Sequence, residues 1–209
     1  MLSLSLVIPM YNEEQFIVNT LRKVIDFFND KEYDYEIIVV DDGSTDASVS
    51  LVRKFLSSGV KLIQNPGNRG KGYAVRNGIL KATKEYVGFM DADLPYSLDG
   101  ISELFNKLKK YDISIGTRAL PGSKVEAHPL WYRRMLGLAF CSIREFIIHT
   151  GIRDTQSGAK CFRSSVAKKI CNKQKLTGFG FDVEVLFLAK KYRFSVTQVP
   201  LHLLKEHSF

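Results

Sequence analysis

The sequence predicts a single α/β domain built on a mostly parallel sheet with helices on both faces. Short apolar runs rich in β-branched residues alternate with amphipathic stretches, a pattern typical of parallel strands joined by helices. Polar turn residues follow the ends of several of these runs. With 209 residues, the chain has the length of one domain and can bury a substantial core.

The elements of the first half are predicted from apolar runs that end in turn residues. Asn12 is predicted to cap the first helix, because its side chain can accept a backbone N–H and Glu13 behind it suits the helix dipole. Gly43 permits a tight turn before the second helix, which a residue of the segment Ser44–Asp46 can cap. The predicted order is strand 3–8, helix 13–29, strand 35–40, helix 46–57, strand 60–64, helix 70–83, strand 85–90, helix 98–109 and strand 112–116.

The second half is predicted to be less regular. Pro121 and Pro129 indicate a loop over 119–130. Apolar residues at three- and four-residue spacing then predict a helix over 130–149, either half-buried in the core or lying at a membrane interface. The remaining predicted elements are a short strand over 159–163, helices over 164–171 and 181–191, and a strand over 194–201.

Two acidic motifs follow strands and indicate a ligand site. Asp91 and Asp93 come directly after the apolar run Tyr86–Met90, and Asp41 and Asp42 end the second strand. In an open α/β sheet, ligands bind at the carboxyl ends of the strands. Paired carboxylates suit Mg²⁺ or Mn²⁺, an ion that water and substrate phosphates usually complete. One such pair alone is more often a pair of solvated turn carboxylates, and the second acidic pair makes that interpretation much less attractive.

Composition indicates anionic partners. The formal charge of +8 and the pI near 9.3 favour a phosphorylated ligand or an anionic membrane face. Nucleic acid is not expected, because the basic residues are scattered and no recognition motif accompanies them. Three cysteines without C-x-x-C spacing predict reduced thiols and a cytosolic protein. The absence of a long uncharged apolar run predicts no membrane-spanning helix, and the amino terminus does not look like a secretion signal.

Four motifs of the first half resemble, in order, those of the inverting family 2 glycosyltransferases with a GT-A fold. Several later segments resemble dolichyl-phosphate β-glucosyltransferases and dolichyl-phosphate mannose synthases. The first set is Val7–Glu14, Val39–Asp46, Asn68–Gly72 and Asp91–Asp93, and the second is Gly116–Arg118, Tyr132–Arg134, Gly151–Phe162 and Gly180–Glu184. The resemblance implies a Rossmann-like GT-A domain over 1–209, with a nucleotide-sugar-binding half over 1–117 and an acceptor-binding half over 118–209.

The resemblance assigns the donor site. It implies that base and ribose lie near Pro9, Tyr11, Glu13 and Asp42, with Tyr11 offering a stacking face. Lys71 at a helix start could face the diphosphate or serve only as part of a structural helix terminus.

The acidic motif Asp91-Ala92-Asp93 is expected to contact the donor and to bind the metal. Asp93 is the preferred metal ligand, and Asp91 either shares the metal or contacts the ribose. The ion would neutralise the diphosphate leaving group.

The resemblance also assigns the acceptor site. A lipid phosphate is already anionic, so its attack needs positioning and charge compensation rather than a general base. Arg118 and Arg133 match arginines that bind phosphate in the family, and the guanidinium fork suits phosphate oxygens. Asp154 and Gln156 are candidates for sugar or acceptor contacts, as is Asp182, although turn formation and helix capping would also explain these residues.

The predicted reaction is inverting transfer of a hexose, glucose preferred, to a polyprenyl or dolichyl phosphate. A UDP-sugar is favoured over a GDP-sugar as donor, because the segment Asp154–Phe162 is closer to the glucosyl relatives. The protein is expected at the cytosolic face of a membrane as a peripheral protein, with Trp131–Arg134 at the lipid surface, and its oligomeric state stays open. Two alternatives remain: transfer to a hydroxyl, which needs a base such as Asp154 or Asp182, and a non-catalytic nucleotide-sugar-binding subunit.

Overall fold

The computed structural model describes residues 1–117, 152 and 157–201. These residues form a seven-stranded sheet with helices on both faces. The elements are β1 Ser3–Met10, α1 Ile17–Asp30, β2 Asp34–Asp41, α2 Ser48–Arg53, a 3₁₀ helix Leu56–Ser58, β3 Val60–Gln64, α3 Lys71–Lys81, β4 Tyr86–Phe89, α4 Leu98–Lys107, β5 Ile113–Thr117, β6 Lys160–Arg163, α5 Ser164–Cys171, α6 Phe181–Lys191 and β7 Val196–Pro200.

The strand order is β3-β2-β1-β4-β6-β5-β7. Of the strands in the described residues, only β6 runs against the others, pairing antiparallel with both β4 and β5. From β1 the chain moves outward through β2 to β3 and then returns to β4 on the other side of β1. The sheet therefore has its topological switch point between β1 and β4, which is where an open α/β sheet forms a crevice. The predicted α/β class with a mostly parallel sheet is confirmed.

Alternation along the central strands divides the core into two layers. Leu6 and Ile8 of β1 pack on the side of α1, α2 and α4. Val7 packs on the opposite side, with α3, α5 and α6. Successive strand side chains point to opposite faces, so a strand buried on both sides reads as a continuous apolar run. This explains why the apolar runs in the sequence predicted strands rather than helices.

A buried carboxylate joins the strands at the amino end of the sheet. Glu36 of β2 accepts hydrogen bonds from Ser5 of β1 (2.6 Å), Lys61 of β3 (2.6 Å) and the backbone and side chain of Thr83 (2.6 and 2.9 Å). Burial alone would raise the pKa of Glu36, but these hydrogen bonds outweigh it and lower the pKa to about 2. The carboxylate thus fixes three strands and the α3–β4 turn while it is ionised.

The prediction that Asn12 caps the first helix is wrong. Helix α1 begins at Ile17, and the residue at its cap position, Phe16, makes no side-chain capping bond. Asn12 instead adopts a left-handed backbone conformation (φ 56°), and its side-chain oxygen accepts the N–H of Thr45, 2.8 Å away in the β2–α2 loop. A long-range bond between loops has replaced the local cap.

Other differences concern boundaries, which are the least certain feature of a sequence-based prediction. The second helix spans Ser48–Arg53 instead of 46–57. The loop predicted over 119–130 and the helix predicted over 130–149 lie outside the described residues. Within the described ranges, every helix is too short or too polar to cross a bilayer.

Candidate active site

An open cleft of about 490 Å³ lies at the carboxyl ends of β1, β2 and β4, at the switch point of the sheet. All eight residues predicted to contact the nucleotide sugar line it, together with several residues that were not predicted. The described lining residues are Pro9, Met10, Tyr11, Glu13, Asp42, Asn68, Gly70, Lys71, Ala74, Asp91, Ala92, Asp93 and Phe179. Five separate chain segments thus supply one cleft with carboxylates, an ammonium group and two aromatic rings.

Reciprocal hydrogen bonds join the β1–α1 loop to the β2–α2 loop. The N–H of Asn12 donates to Ser44 Oγ (2.9 Å) while the Asn12 side chain accepts from Thr45. Next to this pair, the N–H of Glu14 donates to Asp46 (3.1 Å), and Glu14 in turn accepts the N–H of Ala47 (2.9 Å). This arrangement holds Tyr11 and Glu13 at the wall of the cleft, because both flank the bonded residues in sequence.

Asp42 organises the loop that precedes α3. One of its carboxylate oxygens accepts the N–H groups of Arg69 (3.0 Å) and Gly70 (2.7 Å), and the other accepts the side-chain amide of Asn65 (2.8 Å). The neighbouring Gly43 (φ 85°) lies so close to Gly67 that a Cβ atom would sit 2.7 Å from its backbone. Buried Asp42 is therefore a structural anchor for the start of α3 as well as a residue of the cleft wall.

Carboxylates concentrate negative charge at one end of the cleft. The pKa of Glu13 is raised to about 7, first by burial and then by the charges of Asp93, Asp91 and Asp46. Such crowding of carboxylates is the electrostatic condition that a divalent cation relieves. Among the described residues, no three histidine, cysteine or carboxylate side chains form a complete metal cage. Asp91 and Asp93 fit an ion held by one or two carboxylates with substrate phosphates completing its shell, as is usual for Mg²⁺.

Lys71, the first residue of α3, pairs with Asp91 across the cleft. Its Nζ lies 2.5 Å from Asp91 Oδ1. Burial would lower the pKa of Lys71, but the charge and hydrogen bond of Asp91 outweigh burial and raise it. The ammonium group is therefore secured in its charged form, next to the amino terminus of a helix, where anionic ligand groups are favoured.

A buried ion pair that sequence reasoning missed lies beneath the cleft. The side chain of Lys160, 0% exposed, pairs with Asp182, whose side chain is 6% exposed. Lys160 Nζ also donates to the carbonyl oxygen of Ser157 (2.7 Å) and lies 5.4 Å from the centre of the Phe89 ring. Burial raises the pKa of Asp182, partly offset by Lys160 and Lys71. The available signal was a lysine at the start of an apolar strand and an aspartate in the first turn of a helix.

The segment before β6 packs directly against the acidic motif. A Cβ atom on Gly158 would overlap the carboxylate of Asp91, so only glycine allows this approach. The N–H of Gly158 donates to the hydroxyl of Tyr96 (3.3 Å), and Ser157 is held by Lys160. The backbone at Gly158 therefore packs directly against Asp91, and Lys160 holds the residue before it.

The structure places only part of the predicted acceptor site. Arg118, Arg133, Asp154 and Gln156 lie outside the described residues, so their roles stay predictions. Asp182 is buried with its carboxylate bound to Lys160, and a contact of Asp182 with sugar or acceptor likewise stays a prediction.

Comparison with known proteins agrees with this architecture. The family model of glycosyl transferase family 2 matches residues 5–171. The chain is 33% identical over 214 aligned positions to a dolichyl-phosphate beta-glucosyltransferase of Dictyostelium discoideum, covering 95% of this chain and 65% of the relative. It is 30% identical to the human protein of the same name, covering 95% and 66%. The chain thus spans just under two thirds of the length of these curated relatives.

Solved structures share the fold at lower sequence identity. Glucosyl-3-phosphoglycerate synthase from Mycobacterium tuberculosis, in complex with UDP, superposes with a TM-score of 0.70 at 20% identity, covering 99% of this chain and 73% of that one. TarS from S. aureus gives 0.60 at 19% identity, covering 96% and 60%. These likenesses confirm the expected GT-A architecture. Since the family model covers most of the sequence, including the strands and loops that build the cleft, the chain belongs to glycosyl transferase family 2.

Proposed function

We propose that this chain transfers glucose from UDP-glucose to a dolichyl or related polyprenyl phosphate, with inversion at the anomeric carbon and with Mg²⁺ or Mn²⁺ as cofactor. The observation that carries the proposal is the cleft at the switch point, where the acidic motif faces the amino terminus of α3. The relatives named dolichyl-phosphate beta-glucosyltransferase support the choice of sugar and acceptor.

In this proposal the donor occupies the cleft. Tyr11 stacks on the base, and Pro9 and Glu13 surround base and ribose, because these residues line the cleft on the β1 side. Asp42 positions the loop before α3 by accepting the N–H groups of Arg69 and Gly70, and it contacts the base or the ribose. Lys71 faces the diphosphate from the helix terminus. The aromatic stack and the polar contacts together select a nucleotide rather than a free sugar phosphate.

Asp93, with Asp91, would hold the metal ion. When bound, the ion supplies positive charge for the diphosphate that leaves. Ala92, between the two aspartates, also lines the cleft, and we propose that it contacts the donor. Phe179, which was not predicted, adds a largely exposed aromatic side chain to the lining of the cleft.

The acceptor phosphate acts as its own nucleophile. One of its oxygens forms a bond to the anomeric carbon while the bond from that carbon to the β-phosphate oxygen breaks, and UDP leaves with the electron pair. No proton has to be removed, so no general base is required. Arg118 and Arg133 hold and partly neutralise the lipid phosphate, while Asp154 and Gln156 contact the sugar.

The position of Asp182 argues against one of the two carboxylates considered as a base for a hydroxyl acceptor; the other, Asp154, lies outside the described residues. A hydroxyl acceptor would need a carboxylate base within reach of its proton. Asp182 does not suit this role, because it is buried and paired with Lys160. We propose that the protein acts at the cytosolic membrane face, where nucleotide sugars and lipid phosphate meet. Residues 1–117 build most of the donor site, and residues 118–209 serve the acceptor and add Phe179 to the donor cleft.

A donor and acceptor panel tests the proposal. UDP-glucose, UDP-N-acetylglucosamine and GDP-mannose are offered with a polyprenyl phosphate or the dephosphorylated polyprenol, and lipid-linked product is measured. We expect transfer from UDP-glucose to the phosphate only, lost with EDTA and restored by Mn²⁺ or Mg²⁺. Asp93→Ala should abolish transfer, whereas Asp99→Ala, an exposed aspartate of α4, should not. Equal use of the polyprenol, or full activity after metal removal, would contradict the mechanism.

A further inference from the structure

The loop between α5 and α6, residues 172–180, exposes large apolar side chains at the edge of the cleft; we call it the rim loop. Leu176 is 50% exposed and Phe179 is 74% exposed, and Phe179 also lines the cleft. Single exposed apolar residues are common on protein surfaces, but two within four positions at the mouth of a site call for a physical reason.

The backbone of the rim loop is held firmly in place. The side-chain amide of Gln174 donates to the carbonyl oxygens of Gly72 (3.0 Å) and Leu176 (2.8 Å). Glu184 accepts the N–H of Leu176 (2.7 Å), and the carbonyl oxygen of Thr177 accepts the N–H of Tyr73 in α3 (3.1 Å). These bonds fix the backbone on both sides of Leu176, and the N–H of Phe181 donates to the carbonyl oxygen of Gly178 (3.2 Å), which closes a turn around Phe179. Leu176 and Phe179 are thus exposed on a hydrogen-bonded backbone.

The charges of the rim loop complement an anionic surface. Lys173 and Lys175 are both exposed and flank the apolar side chains. The nearby carboxylate, Glu184, is engaged by the backbone N–H groups of Lys175 and Leu176. Apolar side chains flanked by lysines are typical of segments that enter the headgroup region of a bilayer, where lysine stays at the lipid phosphates.

We propose that the rim loop contacts an anionic phospholipid bilayer, with Leu176 and Phe179 entering the boundary between headgroups and acyl chains and the two lysines binding lipid phosphates. This inference rests on the proposed function. An acceptor phosphate anchored in a bilayer stays near the membrane surface, so the mouth of the donor cleft has to approach that surface. Because Phe179 belongs to both the cleft and the rim loop, bilayer contact at this loop brings the mouth of the cleft to the lipid phosphates.

Vesicle flotation with the full chain tests the contact. The variant Lys175→Glu/Leu176→Ser changes the rim loop without touching a residue that lines the cleft. Its matched control is Lys54→Glu/Leu56→Ser, an exposed lysine and a 47% exposed leucine before β3, at the opposite edge of the sheet. With phosphatidylserine-containing vesicles, we expect the rim variant to lower the partition coefficient by about tenfold or more and the control by less than about twofold. Equal losses in the two variants would overturn the proposal.

Two further arms separate this contact from the proposed activity. Transfer to a short, water-soluble polyprenyl phosphate should be unchanged in the rim variant, whereas transfer to a long-chain acceptor in vesicles should fall with binding. If the wild-type protein transfers glucose but does not bind anionic vesicles, the rim-loop contact is refuted and the proposed transferase activity stands. If vesicle binding depends on the rim loop but no acceptor receives glucose, the proposed transferase activity is refuted and the bilayer contact stands.

Discussion

Removing one member of the buried Lys160–Asp182 pair should be far more costly than removing both. Lys160→Met leaves the carboxylate of Asp182 in the interior without its ammonium partner. Since the two side chains are 0% and 6% exposed, water cannot replace the lost charge. We expect the free energy of unfolding to fall by about 3–5 kcal/mol, the usual cost of leaving a buried charge uncompensated.

The double variant Lys160→Met/Asp182→Leu removes both charges and should recover part of this loss. What remains is the carbonyl oxygen of Ser157, which loses its hydrogen bond at a cost of about 1–3 kcal/mol. A surface pair provides the control: Lys107 lies 3.5 Å from Glu103 one helical turn away, and both side chains are about half exposed. Lys107→Met should therefore cost less than about 0.5 kcal/mol.

Urea unfolding followed by circular dichroism measures all four proteins. The reasoning fails if Lys160→Met costs no more than Lys107→Met, or if the double variant is less stable than the single one. A functional readout accompanies stability, because Lys160 holds Ser157 beside the glycine that supports Asp91. A stable double variant should still bind UDP-glucose with Mn²⁺ less tightly, and unchanged affinity would limit the pair to a structural role.

Three further predictions concern the cleft and the sheet. Gly158→Ala should weaken metal-dependent UDP-glucose binding by about tenfold or more in calorimetry, because the new methyl group displaces Asp91. The pKa of Glu36 is about 2 in the folded protein, against an ordinary value of 4.5, so the stabilisation from its carboxylate is complete above pH 4.5 and is lost as pH falls towards 2. Glu36→Gln should remove about 3 kcal/mol of that pH dependence in unfolding measurements. Arg118→Ala or Arg133→Ala should reduce transfer to polyprenyl phosphate in kinetic assays far more than nucleotide affinity, with poor rescue by lysine.

Each of these three has an outcome that would contradict it, and the first two have a control variant. Gly178→Ala introduces a methyl group with no atom within 4 Å and should leave donor binding unchanged; equal effects at the two glycines would refute the role of close packing. Glu103→Gln, on the exposed face of α4, should leave the pH dependence of the free energy of unfolding below pH 4.5 unchanged. A change as large as that of Glu36→Gln would contradict the role given to Glu36. If the arginine variants lose nucleotide affinity in parallel with transfer, Arg118 and Arg133 bind the donor and not the acceptor phosphate.

The sequence was most informative where a local pattern has a single structural outcome. Strands buried on both faces read as apolar runs, so β1, β2 and β4 were predicted within a few residues. Parallel strands deliver the residues after them to the same edge of the sheet, and this places Tyr11, Asp42 and Asp93 in one cleft although they are far apart in sequence.

Features that depend on contacts between distant segments were not predictable in this way. Asn12 has the side chain of a helix cap, and only the position of Thr45 in the folded protein decides that it bonds across to another loop. Lys160 in an apolar strand gives no indication of its partner, because the carboxylate that compensates it belongs to a helix that begins 21 residues after it. Phe179 would be assigned to the core by hydrophobicity alone, yet it is largely exposed.

The antiparallel strand β6 explains how the site obtains its support. In a fully parallel sheet, the segments before the strands lie at the edge opposite the ligand site. Because β6 is reversed, its first residue, Lys160, pairs with Phe89 at the end of β4. The residues that precede β6, including Gly158, therefore meet the residues that follow β4, including Asp91, at the edge where the cleft opens. One reversed strand thus places the backbone of Gly158, next to a Ser157 carbonyl bound by Lys160, directly against Asp91, one of the two carboxylates proposed to hold the metal.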